Sequence, residues 1–389
     1  MKILFVASEG LPFSKTGGLA DVIEALPKAL HACGQEVAVL LPAHRNHRAV
    51  SAAVPSLSIP MDGKMRFPSI ADGGSVNGVH YYFVEDPEYF DREQLYGVAG
   101  NDYPDNAERF AELCRATIEF CKRVWKPDVI HCHDWQTGLV PVLLRTEYSE
   151  DAAVRDLPVV FTVHNMGYQG AFPREEMAKI GLPESLFAVD ALEFYGRVNF
   201  LKGALVFSDI LTTVSPRYAE EIQTPEYGHG LDGVVRDRAA SLTGILNGAD
   251  YSVWSPEEDQ FILSRYSEKD MTGKISCKKN LIDSFGLPPD SLGKPLIGIV
   301  SRFAEQKGFD LIAQIAPDLL ADDLALVALG AGEPQFERLF QDLGKEYPGK
   351  FAVKITYDNV LAHKIEAGSD IFLMPSRYEP CGLNQIYSL

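Results

Sequence analysis

Short runs rich in valine and isoleucine recur along the whole chain and alternate with segments whose apolar residues repeat at helical spacing. This is the pattern of βα units feeding a buried parallel sheet. In the first half the runs predict strands near 2–7, 36–41, 79–84, 128–132, 158–163 and 210–214. A helix over 20–33 carries Val22, Ile23, Leu26 and Leu30 on one face. A second series begins at Pro295–Val300 and continues through Leu324–Leu329, Phe351–Ile355 and Ile371–Met374. Between the two series, Asn247–Pro256 is punctuated by Gly, Asp and Pro, which predicts an interdomain connection. The pattern therefore predicts an α/β chain of two Rossmann-like, doubly wound domains, residues 1–250 and 251–389, divided near residue 250. Only four strands can be counted in the second domain, where such sheets commonly have about five or six. The sequence stops at Asn384–Leu389 with neither capping residue nor polar tail, so the second sheet reads as unfinished.

Length agrees with two domains, since 389 residues exceed what one hydrophobic core usually supports. Hydrophobic residues make up 46% and charged residues 23%, the profile of an ordered chain. The formal net charge of −18, unbroken by any basic run, argues against nucleic acid as a partner. A small anion is still compatible, because a few cations and helix N-termini outweigh a screened long-range field. The six cysteines form no CxxC pair, which points to a reducing cytoplasm. No basic leader precedes the first strand, and no apolar stretch reaches about 18 residues, so export and membrane spanning are disfavoured.

Candidate chemistry sits where predicted strands end. Ser8–Val22 contains Lys15, Gly17 and Gly18 at the entrance to the first helix. Paired glycines let backbone N–H groups approach an anion, the helix N-terminus adds partial positive charge, and Lys15 adds a full one. The same residues also suit a plain βα turn with a solvated lysine, and no Gly-Lys-Ser/Thr triplet makes the segment a P-loop. His131, Cys132, His133 and Asp134 end one strand, and His164 and Asn165 end the next. Asp134 and His164 are therefore expected in one crevice. Along a strand His131 and His133 share a face while Cys132 points away, so only two of the three could ligate a metal together, and no fourth ligand is evident.

In the second series Arg302 and Lys307 follow a strand and lead into a helix, placed to grip a diphosphate. Arg302 offers a planar fork and Lys307 a compact charge. A surface arginine beside a helix-start lysine is the plainer alternative. Glu379, in Pro375–Leu383, couples a carboxylate to a run of backbone amides that could hold sugar hydroxyls or phosphate, although it also fits a surface proline turn. Cys381 alone is more simply a packing residue.

Taken in order, Lys15-Thr16-Gly17-Gly18-Leu19, His133-Asp134-Trp135, His164-Asn165, Arg302 with Lys307, and Glu379-Pro380-Cys381-Gly382-Leu383 resemble the motifs of the bacterial glycogen synthases and plant starch synthases. The resemblance covers essentially the whole chain. It implies two Rossmann-like domains facing a cleft (the GT-B type). The N-terminal domain would carry most of the α-1,4-glucan (glycogen) acceptor and the C-terminal domain most of the ADP-glucose donor. It implies transfer of glucose to the non-reducing-end 4-hydroxyl with retention of configuration, release of ADP, and neither cofactor nor metal.

Residue by residue, the resemblance assigns the diphosphate to Arg302 and Lys307, with Lys15, Gly17 and Gly18 reaching donor phosphates. It assigns adenine stacking to Tyr357. Glucose hydroxyls fall to Glu379 and the amides of Cys381, Gly382 and Leu383, and the sugar and acceptor pocket to Asp134, His164 and Asn247. Members of the family continue for about eighty to one hundred residues more, in keeping with the short second sheet. The alternative expectation is therefore an inactive fragment or a non-catalytic glucan-binding relative. Adenine and uracil both stack on an aromatic such as Tyr357, so the base rests on resemblance alone. Oligomeric state and allosteric control leave no signature in the sequence.

Overall fold

The computed structural model describes residues 1–389 apart from Asn46, Arg48 and Ala99. It divides into two compact units, Met1–Asn247 and Gly248–Leu389.

The N-terminal unit is built on one sheet. Its strands are β1 (Lys2–Val6), β2 (Glu36–Pro42), β3 (Ser51–Val54), β4 (Ser69–Val76), β5 (Val79–Glu85), β6 (Val129–His133), β7 (Val159–Val163), β8 (Ile210–Thr213) and β9 (Leu242–Gly244). Their spatial order is β9-β8-β7-β6-β1-β2-β5-β4-β3. Pairing is parallel from β9 through to β5 and antiparallel for β5–β4 and β4–β3. The chain thus builds outward from β1 on one side and then returns to lay β6 on the other. This is the topological switch point at which open α/β sheets hold ligands, beyond the carboxyl ends of the strands.

Past their charged first residues, the strands Lys2–Val6 and Glu36–Pro42 are apolar and buried, as a central parallel strand covered on both faces must be. Helix α1 (Gly18–Ala32) closes one face. Its buried stripe is Leu19, Ala20, Ile23 and Pro27, with Leu26 and Leu30 packed alongside. Val22, expected on that face, is only half-buried. It borders the Leu19–Ile23–Leu26–Leu30 stripe, about 60° from Leu19 and about 40° from Leu26 around the helix. On the opposite side α2 (Asn106–Arg123) is buried along nearly its whole length, including Arg109 and Arg115. Arg109 satisfies its guanidinium on the carbonyls of Tyr89 and Leu95 and on Asn106 Oδ1, at 2.6–2.9 Å.

The C-terminal unit repeats the scheme with four parallel strands, β10 (Leu296–Val300), β11 (Ala325–Gly330), β12 (Phe351–Ile355) and β13 (Ile371–Phe372). The order is β12-β11-β10-β13, which puts a second switch point between β10 and β13. Phe303, Phe309, Phe336, Phe340 and Phe351 form the aromatic centre of one face, against helices α3 (Phe309–Ala321) and α4 (Pro334–Glu346). The other face packs under Leu281, Ile282, Leu361 and Ile365.

Candidate active site

At the first switch point the loop after β1 is shaped from below by Glu9. This carboxylate is 2% exposed and accepts from Thr16 N at 2.6 Å and from Thr16 Oγ1 at 2.7 Å. The loop is thereby drawn into the turn that delivers Gly17, the N-cap of α1, which has no side chain to cap the helix. Lys15 does not project as a bare cation, because its ammonium meets Asp21 Oδ1 at 2.5 Å, on the first turn of α1. Burial pushes the Glu9 carboxyl up to about 7, against the lowering effect of its bonds to Thr16 and Gly17. Tyr96 closes the pocket, its hydroxyl 2.7 Å from Ser8 Oγ. Burial and then the Glu9 carboxylate push that phenol well up, with Asp134 adding to the effect. Tyr96 therefore lies where the fields of both loops meet.

Because Glu9 is held at about 7 against an ordinary 4.5, the folded chain retains a proton between those values that the unfolded chain has released. Stability from this group is fully present below pH 4.5 and is lost as pH rises through 7. Glu9→Gln removes the effect. Wild type should lose on the order of 3 kcal/mol across this window that the variant keeps. The check is melting temperature against pH for both proteins, whose curves should diverge by about 5–10 °C.

Asp134 follows β6 with φ 57°, a left-handed conformation that costs a non-glycine residue about 1–3 kcal/mol. Hydrogen bonds hold it there: its N–H donates to Thr162 O at 3.0 Å, its carbonyl accepts from Thr137 N and Thr137 Oγ1, both at 3.1 Å, and its Oδ1 accepts the backbone N–H of His164 at 2.8 Å. Burial pushes its carboxyl up to about 7. The expected juxtaposition of Asp134 and His164 is thus a direct bond between neighbouring strand ends. Asn247 stands apart, just past the outer strand β9, from which β7 and β8 separate the β1–β6 crevice. His131 and His133 share a face, rings 4.1 Å apart. Among the described residues no three His, Cys, Asp or Glu side chains converge as a metal's ligand set would.

At the second switch point the loops after β10 and β13 are laced together. Arg377 N–H donates to Gln306 O at 2.9 Å, and Gln306 Nε2 donates to Tyr378 O at 3.1 Å. Arg377 grips Asp310 through two 2.7 Å bonds, and Asn384 Nδ2 donates to Val300 O at 2.7 Å. Gly308, at φ 72°, lets the backbones meet: a Cβ there would stand 2.2 Å from Pro375 O. The result is an ion pair between Lys307 Nζ and Glu379 Oε1 at 2.5 Å, with Ser376 Oγ donating to the same oxygen at 2.6 Å. Arg302 lies in the same loop, and Cys381, Gly382 (φ 77°) and Leu383 follow Glu379 directly. Tyr357, just past the edge strand β12, is 60% exposed, separated from this ion pair by β11.

Glu9, Asp21 and Tyr96 were not singled out by the sequence reading. The first two had a signal, a carboxylate on either side of Lys15 within the same loop and helix start. Tyr96 had none, because only the fold brings it under residues 8 and 16.

Two doubly wound units, each with cations and carboxylates gathered at its switch point, define a glycosyltransferase built on nucleotide-binding folds. A family model described as the starch synthase catalytic domain matches residues 2–237, and one described as glycosyl transferases group 1 matches residues 288–386. The chain belongs to the glycogen synthase and starch synthase family. It is 57% identical over 391 residues to a glycogen synthase of Koribacter versatilis, covering 100% of this chain and 80% of that one. It is 48% identical over 394 residues to one of Geotalea uraniireducens, covering 100% and 81%. Among solved structures, the catalytic domain of starch synthase IV from Arabidopsis thaliana bound to ADP and acarbose superposes with a TM-score of 0.91 at 34% identity, over 99% of this chain and 80% of that one. Sucrose-phosphate synthase from Thermosynechococcus elongatus, at 16% identity and TM-score 0.59, shares the fold. The activity of the chain is accordingly glycosyl transfer of the glycogen and starch synthase kind. No helix among the described residues is long and apolar enough to cross a membrane.

Proposed function

We propose that the chain transfers glucose from ADP-glucose to the non-reducing end of an α-1,4-glucan with retention of configuration, using no cofactor or metal. The observation that carries the donor side is the Lys307–Glu379 pair at 2.5 Å, at the switch point of the C-terminal unit. A cation and a carboxylate set side by side suit a ligand that is diphosphate at one end and polyhydroxylated at the other. Lys307 and Arg302 hold the diphosphate, Glu379 with the Cys381, Gly382 and Leu383 amides holds glucose hydroxyls, and Tyr357 stacks on the base. In the N-terminal unit Lys15 and the Gly17 and Gly18 amides supply further phosphate contacts, and Asp134, His164 and Asn247 line the sugar and acceptor pocket. The starch synthase IV catalytic domain that the chain resembles is bound to ADP and acarbose, which supports an adenine nucleotide as the donor's base.

In the reaction the bond from the glucose anomeric carbon to the diphosphate oxygen breaks as the acceptor 4-hydroxyl oxygen bonds to that carbon. The hydroxyl proton passes to the departing phosphate oxygen, whose charge Arg302 and Lys307 stabilise. The absence of CxxC pairs in a chain with six cysteines suits a cytoplasmic site of action.

Calorimetric titration with ADP and with UDP, followed by glucose transfer to glycogen from each sugar nucleotide, tests this reading. ADP is expected to bind at least about tenfold more tightly, roughly 1.4 kcal/mol. Tighter binding of UDP would overturn the donor assignment.

A further inference from the structure

His133, the last residue of β6, has no place in the scheme above, yet its ring is wholly buried, stacked on Phe5 with centroids 5.5 Å apart and planes at 15°. Its Nδ1 lies 2.9 Å from His164 Nε2. Its own Nε2 is buried and meets no hydrogen-bond partner among the described residues. The neighbouring His131 does not compete for either nitrogen: its Nε2 lies 2.6 Å from Thr162 Oγ1, which in turn bonds Thr212 Oγ1 at 2.6 Å.

A bond between two ring nitrogens requires one proton between them, and burial keeps all three imidazoles neutral. It holds His131 down to about 4, His164 to about 3 and His133 well below its ordinary value. Each ring therefore carries a single N–H, and two arrangements exist. If His164 Nε2–H donates, His133 must carry its proton on Nε2 and bury an N–H with no acceptor. If His133 Nδ1–H donates, the buried Nε2 is a bare lone pair. Orphaned buried N–H groups are rarer and costlier than under-used acceptors, which selects the second arrangement. His164 then carries its proton on Nδ1.

We infer that His133 is a positioning residue that fixes His164 as the Nδ1–H tautomer, so that the nitrogen facing away from His133 is a hydrogen-bond donor and not an acceptor. Two adjacent residues thus grip residue 164, Asp134 by the main-chain N–H and His133 by the ring. The functional half of the inference rests on the proposed reading of His164 as a sugar-facing residue: a donor at that position meets a sugar hydroxyl oxygen. In water a free histidine side chain favours the opposite tautomer, so the environment of residue 133 has to hold this one.

The test is nitrogen-15 NMR of the full chain labelled at histidine, with the His164 signals assigned through His164→Gln, alongside kinetics with ADP-glucose and glycogen. Nδ1–H at His164 in the wild type is expected; Nε2–H overturns the inference. His133→Asn keeps an N–H at the place of Nδ1 and should preserve both the tautomer and kcat to within about threefold. His133→Leu removes the donor and should mix the tautomers and lower kcat about 10- to 100-fold, the range of a supporting hydrogen-bond partner, with KM for glycogen little changed. Equal losses in the Asn and Leu variants overturn the positioning role. If the Leu variant fails to fold, the wild-type spectrum and the Asn variant decide alone. A wild-type spectrum as expected with a kinetically silent His164→Gln sinks the sugar-facing reading, and leaves the tautomer assignment standing.

Discussion

Replacing Lys307 with glutamine is expected to lower kcat for glucose transfer to glycogen by about 10²- to 10³-fold, the cost of removing one preorganised group from charge that develops in the transition state. The loss should fall on kcat more than on KM for glycogen, because the proposed contact is to the departing diphosphate. Thermal melting separates this from unfolding. Without Lys307, Glu379 keeps Ser376 Oγ as its one partner among the described residues, and Glu379→Gln removes the carboxylate that neutralises the cation. Each single variant therefore isolates one charge in a partly buried place. The double variant Lys307→Gln/Glu379→Gln should melt higher than the sum of the single losses predicts, with a coupling of about 1 kcal/mol or more. Additive losses would mean that the 2.5 Å pair contributes nothing as a pair.

Gly308→Val should be a strongly damaging change in the C-terminal unit. A β-branched residue at φ 72° is strained, and its Cβ would stand 2.2 Å from the Pro375 carbonyl, which is backbone and cannot rotate away. The loops after β10 and β13 must then part, taking Lys307 and Glu379 with them. The expected outcome is a fall of at least about tenfold in ADP affinity, or some 1.4 kcal/mol, and a lower melting temperature for this unit. Gly286→Ala is the control. It has φ 68° but nothing within 4 Å of the added carbon, so it should cost only the backbone conformation, about 1 kcal/mol. Equal effects from the two substitutions would show that crowding against Pro375 is not what Gly308 prevents.

Strands such as Leu296–Val300 and Glu36–Pro42 could be read from the sequence because a parallel strand buried on both faces is apolar along its buried run, here all but the exposed Glu36. The antiparallel β3 and β4 could not. Ser51–Val54 and Ser69–Val76 carry serine, alanine and glycine, and the register shifts between Ala52 and Val54 where β3 pairs with β4 and between Asp72 and Gly74 where β4 pairs with β5, which erases the two-residue alternation. Charged letters mislead in Asn106–Arg123, where Arg109 and Arg115 look solvated but are buried on main-chain carbonyls and Glu147. The strand-end positions of Lys15, Asp134, His164 and Lys307 were legible, since turns after apolar runs are where such sheets bind ligands. Their partners were not. Nothing in the spacing of residues 307 and 379 says that they touch; only the placement of β13 beside β10 does.

The same device appears at both switch points: each lysine already has a carboxylate 2.5 Å away, Asp21 for Lys15 and Glu379 for Lys307. A lone inorganic anion arriving at either lysine must displace or crowd that carboxylate and offers it nothing in exchange. A sugar nucleotide brings hydroxyl donors together with its phosphates, so the carboxylate gains a partner as the cation changes hands. On the proposed reading of these lysines as phosphate contacts, each resting pair therefore favours a ligand that can satisfy both charges at once over a simple anion.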